Sequence, residues 1–137
     1  MTARVSLPNA SNAPAGSTAA LAQIQAAFGT TPQMFRAVAN SPAALQSMWG
    51  AFGALGGGVI PAQLGEKIAV AVADRNRCEY CLAAHTALGR KAGATAEEMA
   101  AAQAGRAEDA RTAAALAFAL KLAVSYTHLT LPTTERV

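Results

Sequence analysis

The chain has 137 residues, a formal charge of +3, 53% hydrophobic residues and only 14% charged ones. That length suits about one domain, and high apolar content with low charge excludes a disordered chain. No stretch reaches the roughly 18 apolar residues of a membrane span, and no basic run is interleaved with aromatics as a nucleic-acid surface requires.

Roughly a quarter of the residues are alanine, a strong helix former. Residues 1 to about 15 read as an extended lead-in, with no secretory signal. Ser17 or Thr18 is placed to cap a first helix carrying Leu21, Ile24 and Phe28 on one face, and Gly29 ends it. Pro32 opens a short helix with Met34, Phe35 and Val38. Asn40-Ser41-Pro42 is a cap with proline at the first helical position. The third helix carries the stripe Leu45, Met48, Trp49, Phe52 and Leu55, of which Met48, Trp49 and Phe52 read as core or the wall of a pocket. Gly56-Gly57-Gly58 breaks it, without the lysine and Ser/Thr of a phosphate loop.

Pro61 starts a fourth helix with Leu64, Ile68, Val70, Ala71 and Val72 as its apolar body and Glu66 within it. Asp74 to Arg77 form a polar break. A fifth helix runs from near Cys78 to about Lys91 and is closed by Gly93. Thr95-Ala96-Glu97-Glu98 predicts a capping box opening a sixth. Asp109 caps a seventh, alanine-rich helix with Leu116, Phe118 and Leu120, whose pattern stops at Ala123. No β-alternation of useful length and no internal repeat is present, so the predicted class is all-α.

Both cysteines of the chain and one of its two histidines fall in Cys78-Glu79-Tyr80-Cys81-Leu82-Ala83-Ala84-His85. On a helix Cys78, Cys81 and His85 lie about one turn apart in succession. A thiol needs a base to become a nucleophile and a second thiol to regenerate it as a disulfide. The segment supplies all three groups, which points to a redox-active dithiol. A helix N-terminus and the nearby Arg75, Arg77, Arg90 and Lys91 favour a thiolate. His85 is placed to act as base to Cys81, and Glu66 is the candidate to orient His85 or pass it a proton, directly or through water. In a chain without a signal, read as cytoplasmic, two close cysteines point to catalysis or metal binding before structural cross-linking.

With Glu66, eleven residues, then Cys-x-x-Cys-x-x-x-His in view, the chain resembles the AhpD-like, carboxymuconolactone decarboxylase superfamily. Asn40-Ser41-Pro42-Ala43-Ala44-Leu45, the stretch Glu66 to Ala73 and Ala83-Ala84-His85-Thr86 add to the likeness, which covers most of residues 5 to 123. It implies an AhpD-like helical bundle with the Cys-x-x-Cys at the N-terminus of a core helix, assembled as a homo-oligomer. It also implies a peroxidase acting on organic hydroperoxides, with Cys81 as peroxidatic and Cys78 as resolving cysteine, and His85 and Glu66 as proton relay. The reductant would be an external dithiol, in the family's peroxidase a lipoylated protein. No metal, haem or flavin cofactor is implied. Tyr80 stands where that peroxidase carries a histidine, which weakens the relay. The family's decarboxylases lack the cysteine pair, so that name serves here as a label.

Two other readings stay open. Cys78, Cys81 and His85 are three soft ligands for zinc, with Glu66 or His128 as the only fourth. A non-catalytic redox sensor or helical assembly module would use the same dithiol without turnover. Finally, Val124 to Thr133 resembles the translation of a sequencing-library adapter. Residues 16–123 are accordingly expected to be the AhpD-like domain, lacking the family's C-terminal helices. Residues 124–137 are expected to be a non-native tail in which His128 has no role.

Overall fold

A computed structural model describes residues 4–129, with backbone alone for 124–129. Among the described residues the chain is all-helical. α1 spans Ala15–Phe28, α2 Gln33–Val38, α3 Pro42–Gly56, α4 Ala62–Arg75, α5 Glu79–Lys91, α6 Ala96–Gln103 and α7 Ala110–Leu129. No helix is long and apolar enough to cross a membrane among these residues. The helices sort into two compact units, one up to Gly58 and one from Val59 onward.

The first unit is held by aromatics. Phe35, on α2, is fully buried. Its ring meets Phe28 at 6.0 Å, Trp49 at 5.8 Å and Phe52 at 5.3 Å, within the range where offset and edge-to-face pairs attract. Leu21, Ile24 and Leu45 complete the core. The Trp49 indole N–H donates to Gln23 Oε1 at 2.9 Å, which satisfies its polar end. The α3 stripe packs inward along most of its length, with Leu45 buried and Met48 and Trp49 against the core, but at its end Leu55 is 78% exposed. The expected Ser17 cap is also absent. Pro14 precedes α1 without a side-chain cap, and the buried Ser17 hydroxyl instead donates to the Ala39 carbonyl at 2.8 Å. A buried hydroxyl must find an acceptor, and the carbonyl left open at the end of α2 supplies one. Ser41 does cap α3, accepting from Ala44 N–H.

In the second unit α4 packs against α5, α6 and α7. Its core is Val70, Ala71, Ala94, Met99, Ala102 and Leu116. Phe118, expected beside Leu116, is 69% exposed; two positions on, a helix has turned by about 200°. α7 continues six residues past the expected stop at Ala123. Nothing from Val124 to Leu129 is proline or glycine, so nothing there breaks the helix. Thr130–Val137 lie outside the described residues, and with them most of the expected tail; of His128 no side chain is described.

The capping box forms as expected. Thr95 Oγ1 accepts from Glu98 N–H at 3.1 Å and Glu98 accepts from Thr95 N–H at 2.7 Å. Glu98 also takes the Nζ of Lys67, a buried lysine, at 2.8 Å. The Lys67 bond, first, and the Thr95 amide, second, hold the Glu98 carboxyl below the ordinary glutamate range. Asp109, capping α7 through Thr112 N–H at 2.8 Å, is lowered by that same amide. Groups held low in the folded state contribute stability that is present above their unfolded pKa and lost as pH falls through the folded one. The expected result is a thermal midpoint that drops as pH falls below about 4, with a shallower drop in Glu98→Gln. Calorimetry against pH checks it; parallel curves for the two proteins would contradict it.

Candidate functional site

Two helices carry the four expected residues, and the turn between them sets the geometry. α4 ends in a reversal of the kind glycine usually makes. Cys78 N–H reaches back to Ala73 O at 2.9 Å and Arg77 N–H to Asp74 O at 2.9 Å, the double bond pattern of a Schellman close. Arg77 occupies the left-handed position, with φ 53°, the one described non-glycine residue with positive φ. The expected polar break is therefore shorter: Asp74 and Arg75 are still helical, and only Asn76 and Arg77 turn.

The reversal delivers Cys78 as the N-cap of α5, where its Sγ accepts from Cys81 N–H at 3.3 Å. Cys78 and Cys81 are joined as a disulfide, their Cα atoms 5.3 Å apart, a normal span for that bond. A sulfur at an N-cap faces unpaired amide N–H groups, which favour negative charge on it. Tyr80, between the two cysteines, is 67% exposed.

His85 follows Cys81 by one turn of α5. Its Nδ1 meets Glu66 Oε2, from α4, at 2.7 Å. An ionised carboxylate there accepts from Nδ1–H, and in the neutral imidazole that tautomer leaves the lone pair on Nε2. Of the two routes left open by the sequence, the direct one is thus the one found. The side chains of His85 and Glu66 are 37% and 23% exposed, so the pair is only partly sheltered from water. Among the described residues, no three or more His, Cys, Asp and Glu side chains are grouped to hold a metal ion.

Two further residues shape the site. Gly89, one turn beyond His85, is the one buried residue of α5. A Cβ placed there would stand 3.3 Å from the Glu66 Cβ and 2.6 Å from the Met99 sulfur. Glycine at that position lets Met99 and Glu66 pack directly on α5, and a larger residue would have to displace the Met99 tip and crowd Glu66. A glycine inside a helical run is the signal that marks it in the sequence. Met99, from α6, carries no such signal. Gly89→Leu is expected to cost about 2–3 kcal/mol by overpacking, read from urea unfolding, and the double change with Met99→Ala to recover part of that loss. An unchanged urea midpoint in Gly89→Leu would show that the contact is not close.

The larger recess of the second unit, about 500 Å³, borders none of the four residues. It lies at the starts of α6 and α7, where Glu98 and Asp109 are already engaged by caps and by Lys67. A smaller recess of about 330 Å³ opens beside Cys78.

In comparisons with known proteins, the model of the carboxymuconolactone decarboxylase family matches residues 41–125. No curated protein and no solved structure matches the chain.

Proposed function

We propose that this chain, which belongs to the carboxymuconolactone decarboxylase family, is a thiol-dependent peroxidase that reduces organic hydroperoxides through a Cys78–Cys81 dithiol. The observation that carries the reading is a disulfide at a helix N-terminus with a carboxylate-held imidazole one turn beyond it. The family contains decarboxylases as well as peroxidases, and a cysteine pair suits only the second chemistry.

In the proposed cycle, His85 Nε2 takes the proton of the Cys81 thiol. The thiolate attacks the distal oxygen of ROOH, the O–O bond breaks, and the alkoxide leaves as alcohol with the proton held by His85. Cys81 is now a sulfenic acid. Cys78 attacks its sulfur, forming the disulfide and releasing water. An external dithiol returns two electrons, and a lipoyl group on a carrier protein is the proposed donor. Glu66 keeps His85 in the tautomer whose Nε2 is basic. Tyr80 supplies no second base between the cysteines, so His85 carries the proton transfer alone.

The test is consumption of cumene hydroperoxide with dihydrolipoamide as reductant. Turnover that depends on Cys81 supports the reading. Protein that oxidises and reduces reversibly but never turns over would assign it to a redox sensor.

A further inference from the structure

We propose that the recess beside Cys78 is the entry site for the reducing thiol, and that this thiol attacks Cys78 and not Cys81. The inference rests on the dithiol cycle above and names the point where its reductant acts. The recess is lined by Ala73, Asp74, Arg77, Cys78, Glu79 and Leu82. Cys81 does not border it. A volume of about 330 Å³ admits a slender alkyl thiol, with Ala73 and Leu82 as apolar wall.

Arg77 is the second part of the inference. Its backbone takes the left-handed conformation that glycine adopts more readily, a cost borne at a position where glycine would serve the turn better. The attacking species in disulfide exchange is a thiolate. Two carboxylates, Asp74 and Glu79, border the recess and repel an anion, although Asp74 is partly engaged by the Gln103 amide at 2.8 Å. Arg77 is the one cation in the lining and offsets them.

The step balances as follows. The thiolate RS⁻ attacks Cys78 Sγ and an RS–Sγ bond forms. The Cys78–Cys81 bond breaks, and its electron pair leaves on Cys81 Sγ. That thiolate is released one turn from His85, ready for the next hydroperoxide. The second thiol of a dithiol reductant, as thiolate, then attacks the reductant's own sulfur in the mixed disulfide. Cys78 leaves as thiolate and the reductant leaves as an oxidised disulfide, two electrons poorer. The N-cap hydrogen bond to Cys78 acts in the opposite sense, since it makes Cys78 the better leaving group. Access is the opposing factor: of the two cysteines, only Cys78 is among the residues bordering the recess.

The experiment treats the oxidised full-length chain with 2-mercaptoethanol while iodoacetamide caps the released thiolate, and maps both cysteines by peptide mass spectrometry. The expected product carries mercaptoethanol on Cys78 and the alkyl group on Cys81, in excess of the reverse product by about tenfold or more. Arg77→Gly, which suits the turn, is expected to keep or raise the thermal midpoint while slowing disulfide opening severalfold. Adduct on Cys81, or equal labelling, overturns the proposal, as does Arg77→Gly opening at the wild-type rate. No peroxide enters the assay, so selective attack on Cys78 without hydroperoxide turnover would sink the peroxidase reading and leave this one standing.

Discussion

Cys81→Ser is expected to abolish the proposed hydroperoxide turnover, with a loss of roughly a thousandfold or more, because a hydroxyl does not replace a thiolate nucleophile. Cys78→Ser fails differently. Its Cys81 is expected still to attack the first hydroperoxide and release one equivalent of alcohol, with no partner sulfur to condense with the sulfenic acid. The expected record is a burst of one equivalent per chain followed by arrest, with the sulfenic acid trapped by dimedone on Cys81. Rapid-quench measurement of alcohol checks both variants. If Cys78→Ser abolished the burst and Cys81→Ser kept it, the two sulfurs would have exchanged roles. The N-cap bond to Cys78 makes that a real competitor, since it favours a thiolate there. The attack is proposed for Cys81 because His85 follows it by one turn of α5.

His85→Ala is expected to slow that first attack by about 10²–10⁴-fold, the usual worth of a positioned general base. Glu66→Gln is the more informative change. The amide has nearly the shape of the carboxylate and still offers an oxygen to Nδ1–H. It can also turn its NH₂ toward Nδ1, which moves the imidazole proton to Nε2 and removes the base. A loss of about 10–10³-fold in single-turnover rate, with an unchanged urea midpoint, is the expected outcome. Full activity in Glu66→Gln would make the 2.7 Å contact a structural brace. A fall in stability matching the fall in rate would say the same.

Much of this was legible in the chain before any tertiary structure. The helix boundaries were marked by local chemistry: Ser41, Thr95 with Glu98, and Asp109 satisfy end groups within three residues, and Pro42 and Pro61 stand at helix starts, so these signals need no distant partner. The dithiol was legible for the same reason, since Cys78, Cys81 and His85 lie within eight residues on one helix. Ser17 misled because it resembles a cap in sequence, while its acceptor, the Ala39 carbonyl, lies 22 residues away. Leu55, at the end of the α3 stripe, is exposed because apolar periodicity marks a face and does not say what covers it. The α7 end lies beyond the change of pattern at Ala123 because residues 124–129 contain no helix breaker.

By itself, then, the sequence determined an all-helical chain with a cysteine pair at a helix N-terminus and a histidine one turn on. These follow from spacing along a 3.6-residue helix and from capping. Only the tertiary structure decided that Glu66 meets His85 directly, that Gly89 lets Met99 and Glu66 pack directly on α5, and that a recess with Arg77 opens on Cys78. Each of these depends on how closely α4, α5 and α6 approach and on the left-handed turn at Arg77. Inter-helix distance is set by side-chain packing between residues far apart in the chain, which no local spacing encodes.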